Sequence, residues 1–107
     1  MKRIFLTTVI LILFIFNSFG QSTEVMPTIE NNAFNQANQK YFAKDYTAAI
    51  NLYDKAIAIE PKNHLIYYNR AISKLNISDN KGACLDLKKS LELGYKSAEE
   101  TLKQFCN

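Results

Sequence analysis

Residues 45–79 read DYTAAINLYDKAIAIEPKNHLIYYNRAISKLNISD, which is two apolar-periodic segments on either side of a proline. Ala49 and Tyr53 belong to apolar positions that recur every three or four residues, the spacing of one face of a helix. Pro61 ends this helix, because the residue before a proline avoids helical dihedral angles. A second segment of the same kind follows and closes at Asp79. The stretch therefore predicts a helix, a short loop and a second helix.

The pattern recurs along the chain with a period of about 34 residues, a length typical of stacked repeats. Pairs that keep the same residue after this shift include Asn35 and Asn69, Ala37 and Ala71, Asp45 and Asp79, Ala49 and Ala83, and Lys55 and Lys89. A fixed period of this kind indicates one supersecondary unit that is copied and stacked. Stacked units present an extended surface, which serves binding more often than chemistry.

Five helices are predicted after residue 30. Asp45, Asn63 and Asp79 are suited to cap the second, third and fourth helices, and Gly94 is suited to end the fourth. Residues 97–100 read SAEE, a capping box that predicts the start of a fifth helix. The inward-facing side chains of this fifth helix are expected to be Ala98, Leu102 and Phe105. No alternating pattern indicates a strand, so the predicted fold class is all-α.

Residues 1–20 have the three parts of a secretory signal peptide. The start is basic, residues 4–16 form an apolar run, and Ser18 and Gly20 place small side chains before a cleavage site. The alternative is an uncleaved membrane anchor, but the apolar run is shorter than the ~20 residues that a spanning helix needs. The sequence therefore predicts an exported bacterial protein, periplasmic or secreted, in which residues 21–29 form a flexible leader.

Composition argues against several classes of function. Removing the two basic residues of the signal peptide leaves 11 of the 13 basic residues against 10 acidic ones, and no basic stripe indicates nucleic acid. His64 is the only histidine and is expected to be a solvated loop residue, not a metal ligand. Asp54 and Asp86 are expected on lysine-bearing polar faces, where they would not form an acid–base pair. We therefore expect no enzymatic activity and no cofactor.

Residues 30–63 and 64–97 resemble two tetratricopeptide repeats. The matching positions are Ala37, Tyr41, Asp45, Tyr46, Ala49, Tyr53, Ala56 and Pro61 in the first copy, and Tyr67, Ala71, Leu75, Asp79, Ala83, Leu87 and Ser90 in the second. Residues 96–106 resemble the terminal capping helix of the family. Ala33, Asn80 and Tyr95 depart from the family pattern. The resemblance implies that residues 30–107 form a domain of two helix-turn-helix repeats plus a C-terminal capping helix, a fragment of an α-solenoid.

The resemblance also implies a concave groove lined by the first helix of each repeat. On this chain the implied peptide-binding residues are Phe34, Asn38, Tyr41, Phe42, Leu65, Tyr68, Asn69 and Ile72, with Leu75 beside them. The alternative is that part of this set belongs to the core. Asn38 and Asn69 fall at the two amide positions of the carboxylate clamp found in one subclass of the family. Phe34 and Glu99 stand where that clamp needs basic residues, so a bound C-terminal carboxylate is not expected.

Two cysteines remain after the signal peptide is removed. Cys84 and Cys106 lie at equal distances along the chain from Tyr95, the predicted turn, one before it and one after it. In an antiparallel helix pair, positions equidistant from the turn lie opposite each other. An even number of cysteines in an exported domain also favours a disulfide. We therefore predict a structural Cys84–Cys106 bond, with two free thiols as the alternative.

Two functions fit this sequence. The first is an exported module that binds a protein or peptide through the helical groove. The second is a structural or self-associating component of a cell-envelope assembly. Neither needs nucleic acid, a cofactor or stable membrane insertion after signal cleavage. A self-associating module is expected to run larger than a monomer of the mature chain and to dissociate on dilution, which distinguishes the second function from the first.

Overall fold

The computed structural model describes residues 32–107, and most of them are helical. The five helices are α1 (Ala33–Phe42), α2 (Tyr46–Ile59), α3 (His64–Asn76), α4 (Asn80–Glu92) and α5 (Ser97–Phe105). No strand occurs within residues 32–107, so the predicted all-α class is confirmed for this part of the chain. The predicted signal peptide at residues 1–20 and the predicted leader at residues 21–29 lie outside the described residues.

The helices form two consecutive hairpins followed by a single helix. α1 packs against α2, α3 packs against α4, and α5 packs against α4. α3 also contacts α2 and α1, which joins the two hairpins. This arrangement is consistent with a tetratricopeptide-like α-solenoid. Of the helices in the described range, none combines the length and the hydropathy that crossing a bilayer requires.

Four of the helices begin with a side-chain cap. The side-chain oxygens of Asp45, Asn63 and Asp79 each accept a hydrogen bond from a backbone N–H in the first turn of α2, α3 and α4. These predicted caps are confirmed. Asn32 caps α1 in the same way, with the Asn35 N–H 2.8 Å from its side-chain oxygen. Each cap satisfies a donor that the helix itself leaves unpaired.

Three helices end in the same backbone conformation. Lys44, Ser78 and Gly94 each follow the last turn of a helix and have positive φ angles of 62°, 67° and 103°. After α4, for example, the Tyr95 N–H reaches back to the Ser90 carbonyl oxygen at 3.0 Å, the long bond of a Schellman motif. The predicted helix-ending role of Gly94 is confirmed. Lys44 and Ser78 lie one period apart, so the repeat extends to a backbone conformation that ordinary side chains disfavour.

The predicted capping box at the start of α5 is wrong. Lys96 occupies the cap position with helical dihedral angles (φ −61°, ψ −29°) and makes no side-chain capping bond. Ser97 is instead the first residue of the helix. The reason is the preceding turn, which is already helical and therefore supplies backbone acceptors. The Ala98 N–H donates to the Tyr95 carbonyl oxygen at 3.1 Å, so a side-chain acceptor is not needed there.

Small side chains fill the places where helices cross. The first buried cluster consists of Ala37, Ala49, Tyr53, Ala56 and Ile66, and the second consists of Ala71, Ala83, Leu87 and Ala98. Interiors are packed as tightly as organic crystals, so a larger side chain at an alanine of these clusters would push the neighbouring helix away. Ala37 and Ala71, which occupy equivalent positions of the two repeats, agree with this, since both are fully buried.

The inward face of α5 differs from the prediction at one residue. Ala98 is buried and Leu102 packs against the second cluster, as expected. Phe105 was expected to face inward as well, but it is 49% exposed. The reason is helical spacing: Ala98, Leu102 and Cys106 recur every four residues and occupy the inward stripe, which leaves Phe105 at its edge.

Candidate functional site

Helices α1, α3 and α5 lie side by side and form one layer of the domain. The Asn69 Nδ2 donates to the Asn38 Oδ1 at 3.2 Å, which links α3 to α1. The Tyr68 and Thr101 hydroxyls lie 3.4 Å apart, which links α3 to α5. The residues predicted for the groove all lie on the first two of these helices. We call them the groove face, which consists of Phe34, Asn38, Tyr41, Phe42, Leu65, Tyr68, Asn69 and Ile72.

No residue of the groove face is fully buried. Phe42 is 79% exposed and Leu65 is 39% exposed, and the other six are partly exposed. Tyr41 packs against the first buried cluster, and Leu75, beside the groove face, packs against the second. Tyr41 and Leu75 therefore each contact the core with one side of the side chain and face solvent with another.

Asn38 lies at the centre of the groove face. Its Oδ1 accepts a hydrogen bond from the Tyr53 hydroxyl at 2.6 Å as well as the bond from Asn69. Tyr53 is fully buried in the first cluster, so the amide pair is fixed from below by a rigid donor. Asn69 also forms a side-chain hydrogen bond with the Tyr53 hydroxyl. Within residues 32–107, no other side chain bonds to the Nδ2 group of Asn38 or to the Oδ1 atom of Asn69.

The buried hydroxyl of Tyr53 predicts a loss of stability at alkaline pH. Burial, with a smaller contribution from nearby Tyr41, raises the pKa of Tyr53 to about 12 from an ordinary value of 10.0. The unfolded chain therefore releases this proton at a lower pH than the folded chain. The contribution of Tyr53 to the free energy of unfolding is present below pH 10 and is lost as the pH rises towards 12. At 1.36 kcal/mol per pKa unit, this loss amounts to about 3 kcal/mol.

Denaturant unfolding of the wild-type protein and of Tyr53→Phe, each measured at several values between pH 9 and pH 12, checks this prediction. Lysine titration acts on both proteins and cancels in the difference. The wild type is expected to lose its stability more steeply with pH than the variant. Parallel profiles for the two proteins would contradict it.

A second group of aromatic side chains lies at the start of α3, next to the turn between α4 and α5. The Tyr95 ring stacks on the His64 ring with centroids 5.1 Å apart, and the Tyr68 ring meets Tyr95 edge-on at 4.8 Å. The prediction that His64 is a solvated loop residue is wrong, because Tyr95 covers its ring. The buried Nδ1 atom of His64 has no hydrogen-bond partner among residues 32–107. No cluster of three or more potential metal ligands occurs within the same range.

The prediction that Asp54 and Asp86 both lie on polar faces is wrong for Asp86. Asp54 is exposed as predicted, but Asp86 is only 4% exposed. The Arg70 guanidinium binds the Asp86 carboxylate through two hydrogen bonds of 2.7 and 2.8 Å, and Lys74 approaches it to 2.9 Å. The hydrogen bonds to Asp86, the largest cause, raise the pKa of Arg70. The sequence signal was available: Asp86 lies one period after Leu52, so it occupies an apolar position of the repeat.

The cysteines are paired as expected. Cys84 of α4 and Cys106, which follows α5, form a disulfide with their Cα atoms 5.8 Å apart. The bond fastens the end of α5 farthest from the turn. It also lies next to Phe105, whose carbonyl oxygen is 3.9 Å from the Cys84 Sγ.

Comparison with known proteins finds similarity to short parts of longer chains. No family model matches this sequence. The chain is 42% identical over 59 residues to the protein STIP1 homolog of Dictyostelium discoideum, which covers 55% of this chain and 10% of that protein. It is 38% identical over 61 residues to serine/threonine-protein phosphatase 5 of Homo sapiens and of Rattus norvegicus, covering 57% of this chain and 12% of each.

The chain thus spans about a tenth of the length of the curated relatives it matches. The similarity covers a little more than half of this chain, and the described structure consists of two helical hairpins and a fifth helix. Sequence similarity and helical architecture together support a tetratricopeptide-repeat family for the matched part of the chain.

Proposed function

We propose that this domain binds an extended segment of another protein along the groove face. The observation that carries the proposal is the row of partly exposed aromatic and aliphatic side chains around the Asn38–Asn69 amide pair. Rings give a large contact area at little loss of conformational freedom. Amide groups pair with the backbone of a peptide whatever its sequence. The similarity to part of two longer proteins favours a module that acts by binding.

The amide pair has a defined role in this proposal. Asn38 and Asn69 are adjacent, and each keeps one polar group that the described side chains leave unbonded. The Nδ2 of Asn38 donates to a backbone carbonyl of the segment, and the Oδ1 of Asn69 accepts from a backbone N–H. Because Tyr53 holds Asn38 from below, little side-chain entropy is lost when the segment binds.

We propose further that the protein is exported. The pattern of residues 1–20 supports this, as does the Cys84–Cys106 disulfide, since such bonds persist in oxidising compartments. Sequencing the N-terminus of the protein recovered from a bacterial periplasm is expected to give Gln21 as the first residue. A recovered protein that still begins at Met1 would contradict the proposal.

The groove is tested with peptides selected from a random library on the oxidised wild-type protein. Phe42→Ala and Leu65→Ala, at opposite ends of the groove face, are expected to lower the affinity for the selected peptides at least tenfold, as for a buried interface anchor. Leu85→Ala is the matched control, because Leu85 is a 62% exposed leucine on α4. Tyr68→Ala is less suitable, because Tyr68 also packs against Tyr95.

Thermal unfolding of all three variants is expected to match the wild type, since the substituted side chains are exposed. Equal binding by the wild type and both groove variants would contradict the proposed groove.

The alternative, self-association, is favoured by the 79% exposure of Phe42. Sedimentation of the wild type and of Phe42→Ala over a hundredfold concentration range decides it: a dimer that Phe42→Ala abolishes would replace the peptide-binding proposal.

A further inference from the structure

An apolar cavity of about 300 Å³, which is widely open to solvent, lies beside the groove face, between α3 and α5. Ile72, Leu75 and Asn76 of α3 line one side, and Phe105 of α5 lines the other. Only Ile72 belongs to the groove face as the sequence predicted it. Phe105, which is half-exposed and does not enter the buried clusters, forms a wall of this cavity.

We propose that this cavity is a subsite for one uncharged aromatic side chain of the bound segment. The inference rests on the proposed function, because it extends the groove face by one specificity-determining position. It assigns Phe105 and the C-terminal turn of α3 a binding role. Repeat periodicity did not indicate this role.

The size of the cavity fits one ring. An apolar cavity of about 150 Å³ in a protein core is enough to hold benzene. A volume of about 300 Å³ therefore accommodates a phenyl or phenol ring together with the first atoms of the backbone that carries it. A methyl side chain would leave most of this volume unfilled, so alanine is expected to be a poor occupant.

The chemistry of the lining selects against charge. Three of the four lining side chains are apolar, and the fourth is the neutral amide of Asn76. The Asn76 Nδ2 donates to the Ile72 carbonyl oxygen at 2.8 Å, so this group is already engaged. A carboxylate or ammonium in the cavity would lose part of its hydration without gaining an opposite charge, which is unfavourable. An uncharged ring loses only water that the apolar walls bind poorly.

The disulfide positions the wall that α5 contributes. Phe105 is the last residue of α5 and directly precedes Cys106, which is bonded to Cys84. The Cys84 Sγ also lies 3.9 Å from the Phe105 carbonyl oxygen. The backbone of Phe105 is therefore fixed to α4 at the residue that lines the cavity together with Ile72 and Leu75. Breaking the bond is expected to remove the subsite even where the helices remain folded.

The probe for this subsite is N-acetyl-phenylalaninamide, which has a ring and no charge. Titration into the oxidised protein, followed by the methyl NMR signals of Ile72 and Leu75, is expected to give saturable shifts with a Kd on the order of 1 mM, as for a small ligand. The amides of N-acetyl-alanine and N-acetyl-glutamate are expected to bind at least tenfold more weakly. This measurement on the wild type depends on no variant.

Two variants then test the wall. Phe105→Ala is expected to lower the affinity for the phenylalanine probe at least fivefold. Leu85→Ala, which changes an exposed apolar residue outside the cavity, is expected to leave this affinity unchanged. Reducing the disulfide is expected to resemble Phe105→Ala. Phe105→Leu keeps an apolar wall and is expected to retain most of the binding.

Three results would overturn the subsite. They are probe shifts that fall on Phe34 and Tyr68 but spare Ile72 and Leu75, equal binding of the alanine and phenylalanine amides, and equal binding by wild type and Phe105→Ala. Each of these leaves the groove intact if selected peptides still depend on Phe42 and Leu65. Conversely, a probe that binds as predicted, with peptides indifferent to Phe42 and Leu65, keeps the subsite and removes the groove.

Discussion

Replacing Asp86 by alanine is expected to lower the free energy of unfolding by about 3–5 kcal/mol, the range for removing one partner of a buried ion pair. The Asp86 side chain is only 6% exposed, and its two oxygens bind Arg70 and Lys74. Without the carboxylate, two cations with side chains 18% and 16% exposed remain together at the contact between α3 and α4. Urea unfolding at pH 7 measures the loss.

A second aspartate provides the control. Asp54 also binds Arg70, at 2.8 Å, but its side chain is 54% exposed. Asp54→Ala is therefore expected to lower the free energy of unfolding by less than about 1 kcal/mol, as for a surface ion pair. A loss of less than about 1 kcal/mol for Asp86→Ala as well would contradict the burial of its ion pair.

A triple variant separates the charge from the shape of the site. Leu52 lies one period before Asp86, so a leucine fits the corresponding position of the first hairpin. Asp86→Leu combined with Arg70→Met and Lys74→Met removes all three charges at once. Replacing a buried ion network by apolar side chains is often neutral or stabilising. We therefore expect the free energy of unfolding of the triple variant to lie within about 1 kcal/mol of the wild-type value or to exceed it.

The network has a structural consequence beyond its own hairpin. Arg70 of α3 binds Asp86 of α4 and also Asp54 of α2, so one guanidinium connects the first hairpin with the second. The stability of stacked repeats is approximately the sum of each repeat and its interface with the next. Removing the Asp86 carboxylate is thus expected to weaken the second hairpin, whereas removing the Asp54 carboxylate acts only on the interface.

The features that the sequence predicted correctly are those set by local spacing. The caps at Asp45, Asn63 and Asp79 depend on a polar residue immediately before an apolar-periodic segment, which is a local signal. The Cys84–Cys106 bond follows from equal distances to one turn. Ala37 and Ala71, which the repeat period pairs, are both fully buried. In each case a few neighbouring residues, together with the period, determine the geometry.

Some of the features that were missed depend on residues distant in the chain. The burial of Asp86 makes sense only with Arg70 and Lys74, which lie on the facing helix of the same hairpin. The exposure of Phe105 is different, because it follows from helical spacing: Cys106, not Phe105, continues the inward stripe of Ala98 and Leu102. Only the burial of Asp86 therefore lies beyond a local pattern. The groove face is intermediate: its helices were predictable, but the apolar cavity beside it requires the position of α5 relative to α3.

Replacing both cysteines by serine is expected to lower the free energy of unfolding by about 3 kcal/mol on the chain-entropy model for a loop of this length. The bond joins residues 22 positions apart. Its loss restores freedom to the unfolded chain, while the folded helices keep their other contacts. For a domain of this size the corresponding fall in Tm is roughly 12–24 °C. Thermal unfolding of the double variant, and of the wild type with and without a dithiol reductant, measures it.

Because the other contacts of α5 are few, the double variant is expected to unfold locally in α5 before the whole domain unfolds. α5 has nine residues, only Ala98 among them is fully buried, and no side chain caps its start. Its ion pair between Lys103 and Glu99 lies within the helix and holds nothing else in place. Hydrogen exchange in the double variant is therefore expected to accelerate most in α5, while the amides of α1 to α3 keep most of their protection. Uniform acceleration along all five helices would instead mean that α5 and the hairpins unfold as one unit.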